Sequence, residues 1–137
     1  MKRILFCVSV IVVLALVIVP RRSEALGSES LGCRVSSGQF HAGHCVASLP
    51  RLSYAVGFKV LNGAGAYTYE WNTNGLPVSS GCTSTSDFCD IAASGITDDQ
   101  TLSVSVTITQ AGQSATLPAT AFIPAVCGDY DGSPVWC

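Results

Sequence analysis

Beyond residue 25 the chain is short of positive charge. Of seven lysines and arginines, Lys2, Arg3, Arg21 and Arg22 lie at the start, and only Arg34, Arg51 and Lys59 follow. Eight acids share that later stretch (Glu29, Glu70, Asp87, Asp90, Asp98, Asp99, Asp129, Asp131), so three minus eight gives a charge near −5. Three scattered cations cannot follow a phosphate backbone, which argues against nucleic acid as a partner. They suit an anionic membrane surface no better. Helical periodicity is missing too: no stretch sustains a 3.6-residue apolar repeat between capping residues. Chemical motifs are equally sparse. The chain has no Gly-x-Ser-x-Gly elbow, no glycine-rich phosphate loop and no CxxC, and only His41 and His44 could act as an imidazole base. No paired carboxylates stand in a glycosidase setting. No cofactor is implied, and an enzyme is not expected.

What is present begins with a leader. Lys2 and Arg3 precede an apolar run from Ile4 to Val19, followed by Pro20 and then Ser23-Glu24-Ala25. A positive end, an apolar stretch and small residues at −3 and −1 read as a secretory signal over residues 1–25, cleaved after Ala25. The run of sixteen residues from 4 to 19 falls short of the about 20 that span a bilayer. An uncleaved anchor, helped by Arg21 and Arg22, is the alternative. Neither Cys7 nor Cys33 sits where a lipidated cysteine should. Cleavage leaves 137 minus 25, or 112, residues, enough for one domain and no second. Residues 26–32 (LGSESLG) are small and polar and are expected to fray, with a single domain over 33–137. The location expected is secreted or periplasmic, away from the membrane once the leader is removed.

Six cysteines follow the leader: Cys33, Cys45, Cys82, Cys89, Cys127 and Cys137. An even number in an exported chain points to three disulfides, formally in any of fifteen connectivities. They fall into three local couples with long gaps between, which favours 33–45, 82–89 and 127–137. A long-range bridge from Cys45 between two sheets is the rival pattern.

Strands dominate the rest. Tyr54, Val56, Phe58 and Val60 alternate with Ala55, Gly57 and Lys59, the period of a half-buried strand. Asn62-Gly63-Ala64-Gly65 is a turn, and Tyr67-Thr68-Tyr69-Glu70-Trp71 then sets its aromatics on one face. Asn74-Gly75 ends that strand in a dipeptide that tolerates positive φ. Leu102, Val104, Val106 and Ile108 alternate with Ser103, Ser105 and Thr107. Gln110-Ala111-Gly112-Gln113 turns into a last strand, 114–123, whose Pro118 marks an edge or a bulge.

"GAGAYTYEWNTNG" followed by "TLSVSVTITQAGQSATLPA" resembles polycystic-kidney-disease (PKD) type and related immunoglobulin-like domains, over roughly residues 52–123. Such domains carry a Tyr-x-Trp central strand followed by Asn-Gly, then an alternating Val/Thr strand, a glycine-containing hairpin and a last strand. The cysteine couples depart from the usual PKD pattern. The resemblance implies an all-β, two-sheet immunoglobulin-like sandwich, here with three disulfides, and Trp71 in its core. Truncating such a core aromatic to alanine is expected to cost about 3–5 kcal/mol. It also implies extracellular contact rather than catalysis.

Two constellations invite a metal. His41-Ala42-Gly43-His44-Cys45, with Cys33, offers zinc donors, yet the spacing is not that of a finger and exported thiols pair. Asp129-Tyr130-Asp131-Gly132 resembles part of a calcium loop, but Cys137 arrives before a closing Glu could. A turn is the expectation there, with no metal. "CGDYDGSPVWC" then becomes a cyclised loop that either presents Tyr130 and Trp136 as rigid anchors or packs Trp136 on the sandwich edge. The expected function is an exported, non-catalytic binding module that meets an extracellular protein or a cell-surface glycan through end loops. The alternative is a secreted inhibitor of an extracellular hydrolase, acting through stapled loop 82–89 or 127–137.

Overall fold

The computed structural model describes residues 26–129 and 131–137, and over them the chain is all-β. In chain order the strands are β1 (Ser30–Val35), β2 (His41–Ala42), β3 (His44–Val46), β4 (Ser53–Leu61), β5 (Thr68–Asn72), β6 (Val78–Gly81), β7 (Phe88–Ser94), β8 (Gln100–Gln110), β9 (Gln113–Ile123), β10 (Val126–Gly128) and β11 (Pro134–Trp136). A five-stranded sheet runs β2-β1-β4-β7-β6 and a four-stranded sheet runs β3-β9-β8-β5, while β10 and β11 form a separate ribbon.

Alternation decides the two strands at the heart of each sheet. In β4, Tyr54, Val56, Phe58 and Val60 are buried, and in β8 Leu102, Val104, Val106 and Ile108 are buried. Each strand thus turns one apolar face inward, and the two faces meet in a single core with Leu31, Ile91, Ala121 and Ile123. Burying such a side chain contributes about 1.5–3 kcal/mol. Pro118 lies in β9 opposite Ser105, beyond the short stretch where β3 pairs with residues 120–122. At that point β9 has β8 alone as a neighbour, so a residue without an N–H is tolerated.

Two of the three disulfides close the flanks of the sandwich. The bonds join Cys33 to Cys45, Cys82 to Cys89 and Cys127 to Cys137. Cys33 stands in β1 of one sheet and Cys45 in β3 of the other, so a bond local in sequence spans the two layers. Gly43 makes the crossing possible. Its φ of 75° suits glycine, its N–H donates to Leu31 O in one sheet, and its carbonyl accepts from Thr120 N in the other. At the opposite flank, the 83–86 segment inside the Cys82–Cys89 loop lies along β5. Ser84 O accepts from Tyr69 N at 3.0 Å, and Ser86 O accepts the indole N–H of Trp71 at 3.0 Å.

Three expectations change on this architecture. Residues 26–32 do not all fray: β1 begins at Ser30 and Leu31 is buried, because Leu31 continues the inward face that Cys33 occupies. Upstream of it the Glu29 carboxylate accepts the Tyr67 hydroxyl at 2.6 Å and Gly27 N–H at 2.8 Å. The Tyr67 bond is the main reason the Glu29 carboxyl sits below its ordinary range. Trp71 packs against the core but is half-buried, and β5 is the last strand of its sheet rather than a central one. Among the described residues no strand pairs with the far side of β5, and there the 83–86 segment accepts the Trp71 indole N–H. The cost of removing Trp71 therefore falls below that of a fully enclosed aromatic.

The β8–β9 turn carries a testable strain. Ala111 and Gly112 have φ of 50° and 79°, and Gln110 pairs with Gln113 across them. Both central residues of such a turn need positive φ, which alanine adopts at a cost of about 1–2 kcal/mol. Ala111→Asn is expected to raise the melting temperature by a few degrees. A thermal melt that falls instead would contradict the turn assignment.

Candidate binding surfaces

The closing ribbon is built by its own ends. Val126 pairs with Trp136, Cys127 with Val135 and Gly128 with Pro134, and the disulfide seals the pair. Its root is tied to the loop before β8: Val126 N–H donates to Ile96 O, and Asp99 accepts Ala125 N–H at 2.8 Å. The tip is an Asp-capped turn. Asp129 Oδ1 accepts the N–H groups of Asp131 at 2.9 Å and Ser133 at 2.8 Å, and Gly132 takes a φ of 79°. Trp136 is 37% exposed. Tyr130, the other expected anchor, lies outside the described residues.

That geometry bears on calcium. One carboxylate oxygen of Asp129 is already engaged by two backbone N–H groups, whereas calcium takes six to eight oxygens. Among the described residues no three metal-binding side chains gather. Millimolar calcium added after chelation is expected to leave the melting temperature unchanged, where a ligand at a hundred times its Kd would stabilise by about 2.7 kcal/mol. A calcium-dependent rise abolished by Asp131→Asn would overturn this.

The Cys82–Cys89 loop does not protrude. Its hydrogen bonds to Tyr69 and Trp71 dock it on β5, and Cys89 is buried. Burial, with the charge of Asp87 adding to it, holds the Tyr69 hydroxyl above its ordinary value. His41 and His44 stand on either side of the Gly43 crossing and are both exposed. His44 Nδ1 lies 3.1 Å from Thr120 Oγ1, and both rings line an open hollow of about 360 Å³ with Arg34 and Gln39. With Cys33 and Cys45 joined, their sulfurs are no longer thiolate donors, and the constellation reduces to two imidazoles.

No family model, curated protein or solved structure matches this chain. Its surfaces must speak for themselves.

Two features escaped the sequence reading. Tyr54 makes a corner: its hydroxyl donates to Leu49 O at 3.0 Å and accepts Arg51 N–H at 2.8 Å, which pins the loop between β3 and β4. The other lies on the outer face of the five-stranded sheet, where Arg34, Phe40, Lys59, Phe88 and Asp90 surround a hollow of about 350 Å³. One signal could have found it. Gly57 sits inside a strand otherwise suited to β-branched and aromatic residues, and such a glycine marks a close approach of other groups.

Proposed function

We propose that the chain is an exported, immunoglobulin-like binding module without catalytic activity, which meets an extracellular protein or cell-surface glycan chiefly through the Cys127–Cys137 ribbon. Its export is read from the leader over residues 1–25, and three disulfides fit an oxidising compartment. The immunoglobulin-like reading is supported by strand order. Taken as A, B, E and D, strands β1, β4, β7 and β6 follow the order of one immunoglobulin sheet, and β5, β8 and β9 follow C, F and G of the other.

The observation that carries the contact is the ribbon itself. It belongs to neither sheet, its conformation is fixed by a disulfide and an Asp-capped turn, and it leaves part of an indole open to solvent. Rigid aromatics on preorganised loops lose little entropy on binding. The same preorganised, exposed ribbon favours the second reading, an inhibitor whose ribbon fills a hydrolase cleft. The docked Cys82–Cys89 loop suits that role less well.

Fluorescently labelled exported protein, applied to the surface of the cells that produce it, tests the module. Trp136→Ala and the Cys127→Ser/Cys137→Ser pair are expected to lose binding while keeping the melting temperature of the sandwich. Variants that bind as before, or that lose stability alone, would make the ribbon a tied-down tail. Inhibition of a secreted hydrolase that Trp136→Ala relieves would select the second reading.

A further inference from the structure

The outer face of the five-stranded sheet holds a site that the ribbon does not use. The register sets Arg34 of β1, Gly57 of β4 and Asp90 of β7 in one row across the sheet, and Lys59 and Phe88 in a second row beside it. Gly57 forms the floor. A Cβ there would stand 3.0 Å from both Arg34 Nε and Asp90 Oδ1, so the missing side chain opens the space between those two groups. Phe40 walls one side, with the guanidinium carbon of Arg34 4.6 Å from its ring centre. Phe88, 38% exposed, walls the other.

The charges there are mixed. Arg34 and Lys59 are two of the three Lys and Arg side chains among the described residues, and Asp87 and Asp90 oppose them, two against two. Lys59 pairs loosely with Asp87 at 3.6 Å, and Asp90 accepts the Ser80 hydroxyl at 2.7 Å. The Arg34 side chain makes no hydrogen bond or ion pair among the described residues and rests on the Phe40 ring, so its fork of N–H donors stays unused. An anionic ligand would meet Asp90, and a cationic one would meet Arg34. A neutral molecule bearing hydroxyls satisfies both, since each hydroxyl donates to a carboxylate and accepts from a guanidinium or ammonium. The exposed Phe88 ring asks further that the molecule carry an apolar face. The hollow of about 350 Å³ falls within the range of small-molecule sites.

From this combination we infer that the hollow binds a neutral sugar ring. One C–H face lies against Phe88, and hydroxyls bridge Arg34, Lys59 and Asp90. The inference names a glycan as one ligand of the module, and rests on that reading only for its setting outside the cell. It does not depend on the ribbon.

The test is a titration of the 15N-labelled exported protein with the methyl glycosides of glucose, galactose and mannose, and with acetate. At least one glycoside is expected to shift the Gly57 amide and the Arg34 Nε–H saturably. Phe88→Ala and Asp90→Asn should each weaken that binding by about tenfold or more, at unchanged melting temperature. Lys59→Met, on the exposed rim, does the same should either fail to fold. The site falls if no glycoside shifts these resonances, if Phe88→Ala binds as tightly as the wild type, or if acetate shifts them more and Asp90→Asn strengthens it. Sugar shifts without cell-surface binding would keep this site and remove the module reading. Cell-surface binding without sugar shifts would do the reverse.

Discussion

Replacing Cys33 and Cys45 together by alanine is expected to lower stability by about 3 kcal/mol and the melting temperature by roughly 10–20 °C. The closed loop spans a sequence separation of 12, which sets the chain-entropy part of that loss. Location makes the loss global. Cys33 is fully buried, and the bond is the covalent tie between β1 and β3 and hence between the two sheets. The Cys127–Cys137 bond closes a loop of similar length, a separation of 10, but both sulfurs belong to exposed residues in the ribbon. Its removal opens that ribbon locally and leaves the melting of the sandwich nearly unchanged. Differential scanning calorimetry of the two double variants separates these outcomes. Equal losses, or a Cys33/Cys45 variant within a few degrees of wild type, would contradict the inter-sheet role.

Phe58→Ala is expected to cost about 3–5 kcal/mol, measured by denaturant unfolding. Phe58 lies in the middle strand of the five-stranded sheet, directly between Cys33 of β1 and Cys89 of β7. Its exposure is 0%, and the residues beside it are the buried ends of two disulfides, which cannot move in to fill the void. Trp71→Ala removes a larger ring yet is expected to cost less, because β5 is an edge strand and the indole is half-buried. A Trp71 variant less stable than the Phe58 variant would reverse the assignment of the core.

Strict alternation in 54–60 and 102–108 declared both central strands in advance, because a period of two needs no knowledge of what the strand pairs with. The cysteine couples could be read for a similar reason, since short loops close at small entropic cost. What the sequence withheld depends on register between distant strands. That Cys33 and Cys45 face each other across two layers follows from the crossing at Gly43, whose positive φ no neighbouring residue announces. The resemblance implies a central strand for Trp71, but its burial is decided by where β5 falls in the sheet. The hollow around Arg34 requires residues 34, 57 and 90 to share a row; Gly57 hints at a close approach, but only the register names its partners.

Three disulfides local in sequence hold the chain, and two of them clasp the flanks of a two-sheet sandwich. Non-reducing peptide mapping of the exported protein by mass spectrometry tests it most directly. The predicted result is a mature chain beginning at Leu26, six hydrogens lighter than its reduced form, with linked peptides 33–45, 82–89 and 127–137 and no thiol open to alkylation before reduction. A chain beginning at Met1, a free thiol among the six, or a peptide joining Cys45 to a cysteine of another couple would contradict it.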